Sequence, residues 1–142
     1  APHTLEAKSV GYPKAPAGMP GVETSLPLML THAIDGKCSV SDVVRWMCEG
    51  PAKVYNIENK GSLIEGYDGD LTLVDLETHR MITDADTWTK VGWTPYDGFE
   101  LTGLPMWTIV DGIPVHSRTK NGIFKGKPLV KPGETGRSLS FR

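Results

Sequence analysis

Asn59-Lys60-Gly61-Ser62-Leu63-Ile64-Glu65-Gly66-Tyr67-Asp68-Gly69-Asp70-Leu71-Thr72-Leu73-Val74-Asp75-Leu76 is the stretch in which the chain changes from helical to extended character. Asn59-Lys60-Gly61 turns the chain out of a helix, because Asn and Gly tolerate the left-handed backbone that such an exit needs. Leu71-Thr72-Leu73-Val74-Asp75-Leu76 is then a short apolar run bounded by turn residues, the pattern of a buried strand. A compositional boundary near Gly61 divides the chain into residues 1–60 and 61–142.

Upstream of that boundary the apolar period is helical. Leu26, Met29, Leu30, Ala33 and Ile34 predict a helix over residues 25–34, with Ser25 as cap, Pro27 in its tolerated first turn and Asp35-Gly36 closing it. Ser39-Val40-Ser41-Asp42 fits a capping box, and Val40, Val43, Val44, Met47 and Cys48 form one stripe of a second helix ending at Gly50. Pro51 suits the first position of a short third helix through Ile57. Ahead of all three, residues 1–21 carry Pro2, Gly11, Pro13, Pro16, Gly18, Pro20 and Gly21, a density that predicts a long loop without helix or central strand. Loops of that length are binding loops or lids, or are disordered.

Downstream, Met106-Trp107-Thr108-Ile109-Val110, Asp111-Gly112 and Ile113-Pro114-Val115-His116 read as a hairpin around a tight turn, with Pro114 marking the second strand as an edge. Asn121-Gly122 offers another turn, and residues 125–142 read as an irregular tail. Helices followed by a few short strands form an awkward independent fold, since the helices find no sheet or bundle of their own to cover them. The pieces look borrowed from something larger.

Composition narrows the partners. A chain of 142 residues is one domain or part of one, and its 39% hydrophobic content contains no run near the roughly 18 residues a membrane span needs. Fifteen Lys and Arg against seventeen Asp and Glu leave a charge of −2 with no basic block, which argues against nucleic acid. Cys38 and Cys48 are too few for a disulfide framework, so free thiols and a reducing cytoplasm are expected. With neither an initiator Met nor a signal peptide, the chain reads as processed, truncated or cut.

Few residues carry chemistry by pattern. His3, His32, His79 and His116 never stand at His-x-His or i,i+4 spacing and there is no Cys-x-x-Cys, so no metal ligand set and no catalytic residue is expected here. His32, His79 and His116 read as structural or solvated, and Trp46, Trp88, Trp93 and Trp107 as core or interface anchors. Asp68 and Asp70 are neighbouring carboxylates, yet Asp68-Gly69 reads as a turn before it reads as an acid–base pair. By itself His3 is an exposed histidine near a terminus, and Pro20-Gly21 is a loop-to-helix turn.

Three segments together resemble the C-terminal third of the dihydroorotase family of the amidohydrolase superfamily. Ala1-Pro2-His3-Thr4 looks like the end of that family's Asp-His-Ala-Pro-His segment; residues 16–27, with Pro20-Gly21-Val22-Glu23-Thr24-Ser25-Leu26-Pro27, are close to its Pro-Gly-x-Glu-Thr-x-Leu-Pro loop and helix. Residues 61–71 resemble the Gly-x-Ile-x-x-Gly-x-Asp-Ala-Asp-Leu signature of a small composite β domain, with Gly69 where Ala is usual, and Lys90-Val91-Gly92-Trp93-Thr94-Pro95-Tyr96 resembles a further segment of it. The resemblance implies an α/β fragment: the last loop and helices of a (β/α)₈ TIM barrel (residues 1–60), then part of a small β-sandwich domain with an irregular tail (residues 61–142). It implies reversible hydrolysis of dihydroorotate to N-carbamoyl-aspartate in pyrimidine synthesis, with zinc in the intact enzyme and none on this chain. The family's metal ligands and catalytic aspartate would lie upstream of Ala1, so the chain alone would be inactive. His3 would hold the substrate carboxylate, and Pro20 and Gly21 would offer backbone groups to the ring amide, Gly21 because the ligand comes close. The expected partners are the substrate and either the rest of the barrel or a second copy. Dihydropyrimidinase- or allantoinase-like ring amidases, and a non-catalytic interaction module, are the competing readings.

Overall fold

The computed structural model describes residues 3–119, 126–131 and 135, so the Asn121-Gly122 turn and most of the tail fall outside the described residues. At the compositional boundary Gly61 takes a φ of +90°, and a Cβ there would come within 2.7 Å of the Ala52 Cβ. Glycine alone allows the chain to leave the helical half so closely.

The helical half departs from its sequence pattern in three places. Within the predicted loop, helix α1 (Leu5–Lys8) forms a single turn, its Thr4 side chain accepting the Ala7 N–H at 3.2 Å. Between His3 and Val10 there is neither Pro nor Gly, and the breakers lie on either side of that window. Helix α2 (Val22–Ile34) starts three residues before the expected Ser25. The Gly21 carbonyl takes the Thr24 and Ser25 N–H groups, at 3.3 and 3.1 Å, while the Ser25 hydroxyl only donates back to the Val22 carbonyl. Pro27 therefore lies inside the helix, buried, rather than in its first turn. The closing Asp35-Gly36 is as read, with Gly36 at φ +74°.

The second and third predicted helices are one continuous run. Helix α3 (Val40–Val44) opens on the Ser39–Asp42 capping box, with both reciprocal bonds made, and passes through a π-helical turn (Arg45–Glu49) into α4 (Gly50–Val54). The break expected at Gly50-Pro51 is absent, and α4 stops at Val54 instead of Ile57. Pro51 cannot donate to a carbonyl four residues back, and the π turn widens the ladder there, with the Gly50 N–H reaching Arg45 O. The same carbonyl would stand 2.9 Å from a Cβ at position 50, so glycine fits the tight side of this turn instead of ending the helix.

In the second half, β1 (Leu71–Met81), β2 (Glu100–Val110), β3 (Ile113–Ser117) and β4 (Lys127–Pro128) form an antiparallel sheet in that order. Asp111 and Gly112, at φ +52° and +74°, make the hairpin turn that their sequence predicts. β1 and β2 extend well beyond the apolar runs. The register shift between Asp75 and His79 is absorbed where the Asp75 carboxylate takes the Glu77 and Thr78 N–H groups, at 2.8 and 3.2 Å. Pro114 faces an open edge only locally, since β3 pairs with β4 at His116 and Ser117.

One expectation fails on burial. Leu71, Leu73, Val74 and Leu76 are 38–48% exposed, because β1 is the sheet's outer strand and nothing among the described residues covers it. The core lies instead where α2 crosses β2. Gly103, at φ +86°, would place a Cβ 2.8 Å from the Leu30 Cβ, so helix and strand meet at backbone distance. Leu30, Ile82, Leu101 and Leu104 are almost fully buried around this contact. The Thr31 hydroxyl locks the register, 2.9 Å from Thr102 N and 3.0 Å from Thr102 O.

Candidate functional site

The three sequence-predicted site residues lie at the two ends of the first loop. His3 precedes the Thr4 cap of α1, partly buried, and its carbonyl accepts the Trp93 indole N–H at 2.7 Å. Pro20 and Gly21 lie at the other end, where the chain enters α2. Pro20 lines a cavity of about 260 Å³ with Met19, Val22, Glu23, Thr24, Thr87 and Thr89; Gly21 faces a separate open groove, and His3 lines neither. Between the two ends, the Lys8 ammonium folds the loop on itself by donating to the Pro16 and Gly18 carbonyls at 2.5 and 2.9 Å.

Gly21 is informative because nothing among the described residues requires a glycine there. Its φ is −120°, which any residue adopts, and an added Cβ would meet only the Met19 Cε, at 4.0 Å. Positions such as Gly61 and Gly103, where both packing and a positive φ require glycine, are of a different kind.

Residues 82–99 connect the two ends of the loop. Their base is closed by Ile82 N–H to Phe99 O and Gly98 N–H to Ile82 O, both 2.8 Å. The Asp84 carboxylate takes the Thr94 N–H at 2.7 Å, and the Asp97 carboxylate takes the Asp84 N–H at 2.9 Å, so the segment is braced across its middle. From this segment Trp93 holds His3, while the Trp88 N–H donates to both oxygens of Glu23, at 2.8 and 2.9 Å, in the first turn of α2. Burial pushes the half-buried Arg118 guanidinium down from its ordinary value, and the Glu23 charge opposes that shift. Arg118 also donates to the Pro105 carbonyl at 2.7 Å. The sequence names Glu23 as part of a motif and Trp93 as part of a motif and a core or interface anchor, but not their bonds, which join positions 65 and 90 residues apart in the chain, beyond any local pattern.

The other charged and histidine residues singled out in the sequence bond within the chain. Lys60 bridges Asp68, at 2.9 Å, and Asp70, whose other oxygen takes the Asp111 N–H of the hairpin turn at 2.8 Å. Asp68 and Asp70 are thus spoken for by a cation and a turn, consistent with the turn reading. Hydrogen bonding to Asp70 raises the Lys60 ammonium above its ordinary value. Burial pushes Asp70 up, but the Lys60 and Asp111 bonds outweigh it and hold the carboxyl low. His79 bonds Thr102, and His32 lies 3.2 Å from the Lys37 ammonium. Cys38 and Cys48 are free thiols, and of the four tryptophans only Trp93 is in the core. Among the described residues no three His, Cys, Asp or Glu side chains converge to hold a metal, and no helix is long and apolar enough to cross a membrane.

The helical loop entry, the α2–β2 packing and the small antiparallel sheet define a class. The chain belongs to the amidohydrolase family, whose sequence profile matches residues 19–128. It is 39% identical to the dihydroorotase of Pyrococcus furiosus over 98% of its own length and 33% of that protein, and 39% identical to that of Methanothermobacter thermautotrophicus over 79% and 26%. Among solved structures it is similar to an L-hydantoinase (dihydropyrimidinase) from Arthrobacter aurescens, with a TM-score of 0.76 and 36% identity, covering 89% of this chain and 27% of that one. The chain spans about a third or less of the length of these relatives.

Proposed function

We propose that residues 1–142 are the C-terminal part of a dihydroorotase: residues 1–60 the last loop and helices of a (β/α)₈ barrel, residues 61–142 part of its small β domain. The whole enzyme would hydrolyse the ring amide of dihydroorotate, and run the reverse condensation, in cytoplasmic pyrimidine synthesis. The 39% identity to two dihydroorotases, over 98% and 79% of this chain, supports the choice over other ring amidases. The observation that carries a role for these residues is Gly21, a glycine that neither backbone conformation nor packing among the described residues demands, at the N-cap of α2 facing an open groove.

In this reading the chain binds and orients substrate. The His3 imidazole donates to the substrate carboxylate, and Pro20 and Gly21 present a carbonyl and an N–H to the ring amide edge. A catalytic zinc needs about three converging protein donors, and the described residues do not provide them. They do not fit that ion, and its ligands are assigned to the rest of the enzyme.

The test is steady-state kinetics of the full-length polypeptide with dihydroorotate. His3→Ala is expected to raise KM by about tenfold or more, as loss of a charge-assisted hydrogen bond does. Gly21→Ala is expected to raise KM while costing no more than about 1 kcal/mol of stability, the scale of an N-cap change. Cleavage of dihydrouracil or hydantoin without any turnover of dihydroorotate would replace the substrate assignment; unchanged KM in both variants would remove these residues from the site.

A further inference from the structure

We infer that residues 82–99 are a two-point clamp that sets the distance between the two substrate-holding ends of the first loop, with Trp93 and Glu23 as positioning residues. The inference rests on the reading of His3 and Pro20-Gly21 as substrate contacts. His3 lies in an otherwise irregular segment, and its backbone is fixed by one long-range bond, from the Trp93 indole. That indole belongs to a buried side chain, 8% exposed, so its N–H needs this partner and its ring cannot swing away. Pro20-Gly21 is fixed by Glu23, two residues on, whose two carboxylate oxygens grip the Trp88 N–H. Trp88 and Trp93 are five residues apart on one segment, which is tied at its base by Ile82, Gly98 and Phe99 and across its middle by Asp84, Thr94 and Asp97. A braced segment holding both ends transmits no slack, so the two ends of the site keep a fixed separation.

Trp93 does not touch the ligand in this scheme; it acts through His3. The Trp93→Phe variant of the full-length polypeptide removes the indole N–H and keeps a buried ring. Deuterium exchange of the amides of residues 3–9 is expected to quicken by about tenfold, the factor one such hydrogen bond carries, while exchange in β2 stays unchanged. KM for dihydroorotate is expected to rise about threefold to tenfold with kcat within about twofold, and adding Trp93→Phe to His3→Ala is expected to raise KM no further. Glu23→Gln, which keeps one acceptor, is expected to retain amide protection of residues 21–24 that Glu23→Ala loses. Trp107→Phe, on exposed β2 surface, serves as the unaffected control. Unchanged exchange at residues 3–9 in Trp93→Phe would overturn the clamp whatever the enzyme does. Quickened exchange with KM indifferent to both His3→Ala and Trp93→Phe would instead overturn the site reading, and with it the functional role of the clamp.

Discussion

Lys60 shows how much of this molecule depends on single side chains at the junction of its halves. It follows the helical run and binds the two carboxylates that lead into β1, one of which also holds the β2–β3 turn. Lys60→Met removes the ammonium that bridges the two carboxylates. With the lysine side chain 20% and the Asp70 side chain 34% exposed, solvent screening keeps the expected cost to about 1–2 kcal/mol in thermal or denaturant unfolding. The pH dependence follows from the directions of the shifts. Asp70 is held low, so its contribution is present above its unfolded pKa and fades as pH falls through the depressed folded value. Lys60 is held high, so its contribution is complete below its unfolded pKa and fades as pH rises through the raised folded value. The gap in stability between wild type and Lys60→Met should be widest between these limits and narrow towards both. At this scale the sequence made the Asp68-Gly69-Asp70 turn readable but not its cation, since nothing in Lys60's local pattern says which way its side chain reaches.

Among elements, the α2–β2 contact holds the fold together, and it depends on an absent side chain. Gly103→Ala would force a Cβ to within 2.8 Å of the Leu30 Cβ at a φ of +86°. The expected loss is about 2–4 kcal/mol, the sum of overpacking and left-handed strain, read as a lower unfolding midpoint with unchanged denaturant slope. Capping and turn chemistry carried most of what was legible here: the Ser39–Asp42 box, Asp35-Gly36 and Asp111-Gly112 all stand where their residues place them. What misled was punctuation read as termination. Gly50-Pro51 looks like a stop, yet a π turn carries the helix through it, and the apolar run that ends at Leu76 looks like a whole strand, yet β1 continues to Met81 past a bulge that the Asp75 carboxylate absorbs. In both cases a polar or backbone group satisfies the orphan bonds that would otherwise end the element.

For the whole molecule, the exposed apolar surface is the dominant fact. Leu71, Leu73, Val74 and Leu76 on β1, and Val44, Trp46, Val54 and Tyr55 on the helical run, are all open to solvent in this chain. Continuous apolar runs of that kind are written to be covered. This is why a strand that reads as buried is exposed here, and why the helices read as pieces of something larger. It also weighs against a self-sufficient interaction module, which would keep such faces covered. The proposed site was legible only as far as its motifs: His3 and Pro20-Gly21 could be named as candidates, whereas the segment proposed to tie them together is visible only in three dimensions.

His3, Pro20 and Gly21 are proposed to hold substrate, while the described residues lack the donors for a catalytic metal. The direct measurement is turnover of dihydroorotate, together with bound zinc, in a preparation verified by mass to contain residues 1–142 alone, repeated after mixing with the separately produced remainder of the enzyme. Neither turnover nor stoichiometric zinc is expected in the first case, and both are expected to return in the second. Turnover with stoichiometric zinc by residues 1–142 alone would contradict the claim.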